Sequence, residues 1–389
     1  MSLKIADRGR VPPFLVMDVL RDASAREAAG ASVLHMEIGQ PSAGIPAEVA
    51  CGLAAALASG ADPMGYTMAQ GLPALRRRIA AHAAALYGHA VDPERVFCTM
   101  GSSSAFLIAF LAAFAPGDRV ALASPGYPAY RHILKALGIE PVLLPVGAET
   151  RFQPTPEMLD GLDVEGLIVA SPSNPTGSML APEALRALAE TCHARGIRLI
   201  SDEIYHGIGY GMRFATASAF SPSAVVVNSF SKYYCMTGWR LGWLVLPEDM
   251  LRAAECLAQN LFISPPTISQ HAATAAFDHL PAFDALVEGY GRNRDLLVAG
   301  LAGLGIARVA PPDGAFYVYA DVSHLGLDAA ELCRRMLAET GVAVAPGWDF
   351  DPVDGGRFVR FSYCCAEATV RAALDRLAVW LPGRGNHGA

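Results

Sequence analysis

Lysine is nearly missing from this 389-residue chain: of its 30 basic residues only Lys4, Lys135 and Lys232 are lysines, and the remaining 27 are arginines. Long apolar runs are missing as well. The longest, Ala105–Ala115, is followed by Pro116-Gly117 and is far short of the ~20 apolar residues that cross a bilayer, so it reads as a buried helix. The first residues, MSLKIADRGRVPPF, contain no apolar stretch of the kind a secretory signal needs. The eight cysteines include no CxxC spacing, which disfavours both a disulfide framework and a thiolate metal site and leaves reduced, buried thiols in a cytoplasmic protein. A net charge of −7 gives no reason to expect nucleic acid or an anionic membrane as partner. There is also no internal repeat, low-complexity tract or long linker.

What is present is a globular composition, 52% hydrophobic and 17% charged, in a chain long enough for a large domain and a smaller one. Short β-branched runs begin at Val96, Val120, Pro141, Gly166, Ile197, Val225 and Gly242. Between them lie helical patterns that include Ser103–Ala115, Ala129–Leu137 and Glu183–Arg195. Continuous apolar strands alternating with helices predict an α/β fold with a mainly parallel, doubly wound sheet, over about residues 46–280. After it come a long amphipathic helix, Phe283–Leu304, strands near Ala315, Val342 and Arg357 with few helices between them, and a closing helix, Ala366–Leu381. Residues 281–389, together with 1–45 as an N-terminal arm, therefore read as a smaller α+β domain.

Ligands of a doubly wound sheet bind beyond the carboxyl ends of its strands. Asp202 ends one strand; Ser171–Gly177, Gly101–Ser104 and Ser229–Lys232 follow three others. The sole lysine in this set can form an imine with an aldehyde, which a guanidinium cannot do. Lys232 is thus expected to hold an aldehyde cofactor as a Schiff base. Ser229, Ser231, Arg240 and the amides of Gly101, Ser102 and Ser103 at a helix start would cradle its phosphate. Asp202 would pair with a protonated ring nitrogen, as pyridoxal 5'-phosphate requires of its site.

Seven stretches in order strengthen this reading: IGQP (Ile38–Pro41), YTMAQGLPALRRRIA (Tyr66–Ala80), SPGYPAYR (Ser124–Arg131), SPSNPTG (Ser171–Gly177), SDEIY (Ser201–Tyr205), SFSKYYCMTGWRLGW (Ser229–Trp243) and VRFSY (Val359–Tyr363). Through them the chain resembles the fold-type I, class I/II pyridoxal-phosphate-dependent aminotransferases over nearly its full length. The resemblance implies that Lys232 is both the Schiff-base lysine and the base that moves the substrate proton. Asp202 matches the partner of the ring nitrogen, Tyr205 and Asn174 match the residues bonded to the cofactor's phenolic oxygen, and Tyr127 matches the aromatic stacked on its ring. Ser102, Ser103, Ser229 and Arg240 match phosphate ligands. Arg360 matches the arginine that forks onto the substrate's α-carboxylate, with Gly39 beside it, and strand alternation with Phe358 and Ser362 favours Arg360 over Arg357. Tyr66 matches a tyrosine lent to the neighbouring subunit's phosphate site, which implies a homodimer with shared active sites.

The implied reaction passes an amino group from an α-amino acid to a 2-oxo acid by a ping-pong route. Lys232, among Tyr233, Tyr234 and Trp239, is expected to bind its proton weakly. The alternatives are a lyase on the same fold and, with less support, a pyridoxal-phosphate-binding regulator. The stretches VPPF (Val11–Phe14) and PGWDF (Pro346–Phe350) are expected to reach the pocket and to favour neutral or hydrophobic amino donors. GIGYG at Gly207 does not form a dinucleotide motif, Ser102–Ser104 lack the setting of a serine nucleophile, and His206 is given no role.

Overall fold

The computed structural model describes residues 3–60 and 64–381; residues 1–2 and 382–389 of the expected smaller domain lie outside them. Strand β1 (Leu34–His35) precedes seven strands that match the expected runs: β2 (Val96–Thr99), β3 (Arg119–Ser124), β4 (Glu140–Pro145), β5 (Gly166–Ala170), β6 (Arg198–Asp202), β7 (Val225–Ser229) and β8 (Gly242–Val245). These seven form one sheet in the order β2-β8-β7-β6-β5-β3-β4. The neighbours from β7 through β4 are parallel, whereas β8 runs antiparallel to both β7 and β2. Strands β2, β7 and β8 are buried at every position, which explains their unbroken apolar sequences: both faces are covered, so no polar face alternates with the apolar one. The helix Gly101–Ala113 packs on β7 and β8, Pro182–Ala194 on β6, and Pro128–Ala136 on β3 and β4. Two of these three helices open on proline, whose fixed φ and missing N–H suit the first helical turn.

After the helix Leu280–Gly303 come β9 (Tyr317–Asp321), β10 (Val342–Ala343), β11 (Ala345–Pro346) and β12 (Phe358–Ser362), and the helix Glu367–Trp380 follows. The antiparallel sheet β11-β12-β9 stands apart from the large one, and β10 pairs in parallel with β1. Two details differ from the sequence expectation. The apolar run at Val342 splits into β10 and β11 on two different sheets. The region also holds a helix, Ala329–Thr340, whose N-cap Asp328 accepts a bond from the Ala330 amide. Among the described residues no helix is long and apolar enough to cross a membrane.

Candidate active site

The parallel ladder brings the carboxyl ends of β5, β6 and β7 together. Asp202, the last residue of β6, is buried and accepts hydrogen bonds from the Ile204 amide at 3.0 Å and from the Tyr130 hydroxyl. Burial raises its proton affinity, to a pKa of about 6, against the pull of Tyr130 and the Ile204 amide. A cation placed against it would restore its charge. Tyr130 was not singled out from the sequence, although it lies in the quoted SPGYPAYR stretch three residues after Tyr127, onto whose ring its own packs edge-on at 5.4 Å. Nothing in one sequence separates it from an ordinary core tyrosine.

Lys232, just beyond β7, sends its Nζ to the Gly39 carbonyl at 2.7 Å and lies 5.8 Å from the centre of the Tyr205 ring. Its pKa falls to about 8. The cause is burial first, with Arg360 and Arg240 opposing a third positive charge and Asp202 partly offsetting them. Tyr233 and Tyr234, expected to provide that setting, pack elsewhere: Tyr233 bonds Asp284, and the Tyr234 ring lies on Phe230 and Phe277.

The residues expected to cradle a phosphate come together at the start of the helix Gly101–Ala113. Gly101 has φ +73°, and a Cβ there would lie 2.4 Å from Arg240 Nη2; a Cβ on Gly242 would lie 2.9 Å from the Ser102 amide nitrogen. Glycine at both places lets backbone amides and a guanidinium meet around one small volume, a setting for an anion. Ser229 and Ser231 are buried beside it with their hydroxyls 3.0 Å apart. Ser102 is half-buried and Ser103 exposed. A cleft of about 650 Å³ opens here, lined by Gln40, Met100, Thr237, Trp239 and Arg240 among others.

Arg360 reaches in from β12. It is buried, donates to Asn174 Oδ1 at 2.8 Å and to the Glu37 carbonyl, and lies over the Tyr317 and Phe350 rings. Among the described residues its Nε has no hydrogen-bond partner and no carboxylate pairs with it. A buried, unpaired guanidinium is costly unless a ligand's carboxylate completes it. Arg357 is exposed and paired with Asp321 at 3.2 Å, which leaves Arg360 as the arginine that faces the site. Tyr205, buried after β6, places its hydroxyl 2.8 Å from that of Tyr317. Tyr127 is half-buried, with Phe14 of the N-terminal arm stacked on it at 6.1 Å. The backbone amides of Leu15 and Val16 donate to Asp349, which ties the arm to the loop that carries Phe350. Tyr66 stands apart, 83% exposed and without a hydrogen bond to any of these groups.

The donor set fits pyridoxal phosphate: an amine for its aldehyde, a buried carboxylate for its ring nitrogen, a phenol and an amide for its phenolic oxygen, and the glycine cradle for its phosphate. The sequence model of the family "Aminotransferase class I and II" matches residues 31–377. The chain belongs to that family. It is 50% identical to the valine–pyruvate aminotransferase of Mycobacterium tuberculosis, over 99% of this chain and all of the relative. A crystal structure of an aminotransferase from the same organism superposes with a TM-score of 0.96 at 50% identity, covering 98% of this chain and 100% of the other. Aspartate aminotransferase from Thermus thermophilus, solved with maleate, follows at a TM-score of 0.90 and 32% identity, covering 97% and 100%. This enzyme is accordingly a pyridoxal-phosphate-dependent aminotransferase of fold type I that moves an amino group from an α-amino acid to a 2-oxo acid.

Proposed function

We propose that this aminotransferase takes neutral, apolar α-amino acids, branched-chain ones among them, as amino donors and a small 2-oxo acid such as pyruvate as acceptor. The observation that carries the reading is the pairing of a buried arginine that lacks a carboxylate partner with aromatic walls. Arg360 addresses the α-carboxylate, and Phe350, which lies against it, together with Phe14 and Tyr127 offers apolar surface to the donor's side chain. The 50% identity to a valine–pyruvate aminotransferase supports the same choice.

The bound cofactor supplies an electron sink. Lys232 would hold it and, once freed by the donor's amine, would take the proton from the substrate Cα and deliver it to the cofactor carbon. With a pKa of about 8, a useful fraction of the amine is free to do so near neutral pH. Asp202 keeps the ring nitrogen protonated, while Tyr205 and Asn174 donate to the phenolic oxygen. Gly101, Ser102, Ser103, Ser229, Ser231 and Arg240 hold the phosphate, and Gly39 orients the Lys232 amine through its carbonyl. We further infer that residues 46–280 form the cofactor-binding domain and that 1–45 with 281–389 form the part that brings Arg360. Tyr66, exposed in a single chain, would reach the phosphate site of a second copy in a homodimer.

The test follows the holoenzyme's visible absorbance while single amino acids are added. Valine and similar apolar donors should bleach the band, pyruvate should restore it, and aspartate should act at least ~10-fold more slowly, the discrimination expected of an apolar pocket against a charged side chain. Equal rates with aspartate would overturn the substrate assignment. The same preparation should sediment as two chains; a single-chain mass removes the role given to Tyr66.

A further inference from the structure

Tyr317 has no place in the roles above, yet it touches several residues that do. Its hydroxyl lies 2.8 Å from that of Tyr205. The Arg360 guanidinium sits over its ring, 4.4 Å from the centre. A Cβ on Gly39 would fall 1.8 Å from its hydroxyl oxygen, so residue 39 must be glycine for Tyr317 to stand where it does. The carbonyl of that same glycine holds Lys232. Tyr317 is 1% exposed and opens β9 on the small sheet, whereas Tyr205 follows β6 on the large one. The contact therefore joins the two sheets in the middle of the site.

Each phenol has one proton, so one hydroxyl of the pair donates and the other accepts. Among the described residues the Tyr317 hydroxyl bonds only to Tyr205. If Tyr205 donated to Tyr317, its single proton would be committed there and none would remain for the cofactor. The charges around the pair favour one direction. Arg360 lies 4.4 Å from the centre of the Tyr317 ring, nearer than Lys232 lies to the centre of the Tyr205 ring at 5.8 Å. The phenol with the closer cation, Tyr317, is the better donor.

We propose that Tyr317 is a positioning residue that donates its hydroxyl proton to Tyr205 and so fixes Tyr205 as the hydrogen-bond donor to the cofactor's phenolic oxygen. This rests on the roles proposed above for Lys232 and Tyr205. A donated bond also polarises the recipient's own O–H, strengthening the next bond in the chain by roughly 10–30%.

The test titrates the visible band of the holoenzyme against pH in the wild type, Tyr317→Phe, Tyr205→Phe and the double variant. Bonds to the phenolic oxygen draw charge from it, and the adjoining Lys232 nitrogen then holds its proton less tightly; losing a bond moves the midpoint upward. Tyr205→Phe, which removes a bond to a charged oxygen, should raise the midpoint by about one unit. Tyr317→Phe should raise it by about 0.1–0.3 unit, the cooperative share of that bond. The double variant should match Tyr205→Phe alone, because Tyr317 acts only through Tyr205. The ring is kept in Tyr317→Phe, so the packing under Arg360 survives. A Tyr317→Phe midpoint equal to the wild type, or a Tyr317 effect that persists when Tyr205 is already phenylalanine, overturns the inference alone. A wild type that shows no band when pyridoxal phosphate is supplied overturns it together with the reading of Lys232.

Discussion

On the side of the large sheet, Asp202 and Ser229 end the adjacent strands β6 and β7, Tyr205 and Lys232 lie three residues beyond them, and the glycine cradle opens the helix after β2. On the facing side, Phe14, Gly39, Tyr317, Phe350 and Arg360 come from five separate segments, and of these only Tyr317 and Arg360 share a ladder, in which Arg360 pairs with Tyr319 and Tyr317 with Ser362. The first wall is fixed by backbone hydrogen bonds between buried strands. The second is held by side chains: Asp349 on the arm's amides, and Arg360 on Asn174 and the Glu37 carbonyl. Chemistry common to all donors suits the rigid wall, while choice among donors suits the wall whose pieces can vary separately.

The sharpest way to break that division is to remove the group assigned the chemistry. Lys232→Ala should lower transamination by about 10⁴-fold or more, the range for losing a proton-transfer group that also holds the cofactor. Lys232→Arg should be as inactive, since arginine forms no imine. Lys135, exposed on the helix Pro128–Ala136, should tolerate arginine without measurable effect on turnover. An alanine variant within ten-fold of wild type would move the chemistry away from the large-sheet wall.

The facing wall predicts a smaller and more selective loss. Arg360→Lys should cut kcat/KM for amino acid and oxo acid by about 10²–10³-fold, because a single ammonium cannot replace a forked guanidinium in a buried site. The visible band of the bound cofactor should survive. Arg357→Lys, an exposed group paired with Asp321, should stay within about two-fold. Loss of the band in Arg360→Lys would mean that the two walls are one unit.

The same contrast governed what could be read from sequence. The seven strands of the large sheet were legible because each is a short apolar run bounded by turn residues, and their rim residues fall in contiguous stretches such as SFSKYYC. On the facing wall, motifs marked Arg360 and Gly39, and the apolar stretches Val11–Phe14 and Pro346–Phe350 pointed to Phe14 and Phe350. Tyr317 lies in YVYAD, buried at every position, so no alternation points to the hydroxyl that meets Tyr205. The division of Val342–Pro346 between two sheets depends on partners at Leu34 and Arg360, which local sequence does not contain. The helix Ala329–Thr340 did leave a trace: Asp328 as cap, then Leu332, Cys333, Met336 and Leu337 on one face.

The smallest expected effect concerns what stands behind the large-sheet wall. Glu203, next to Asp202, is buried; its Oε1 accepts from Ser201, Thr216 and the Ala217 amide, and among the described residues its Oε2 has no hydrogen-bond partner. Its nearest basic group, His206 at 3.5 Å, is neutral: its Nε2–H donates to the Ser171 carbonyl, the Tyr87 hydroxyl donates to Nδ1, and burial lowers its pKa to about 3. Burial accordingly raises Glu203 to about 8 from an ordinary 4.5. A carboxyl that binds its proton more tightly when folded lends stability in full below about 4.5, and that stability is lost as pH rises through about 8. Glu203→Gln keeps the neutral shape and cannot ionise. The ligand-free variant should therefore melt with the wild type near pH 4.5 and about 2–4 °C above it at pH 9, with turnover unchanged because Glu203 touches no reacting group. A variant less stable than wild type at pH 9 would show that Glu203 is held as an anion, and that the rigid wall rests on a buried charge and not on a neutral hydrogen-bonded layer.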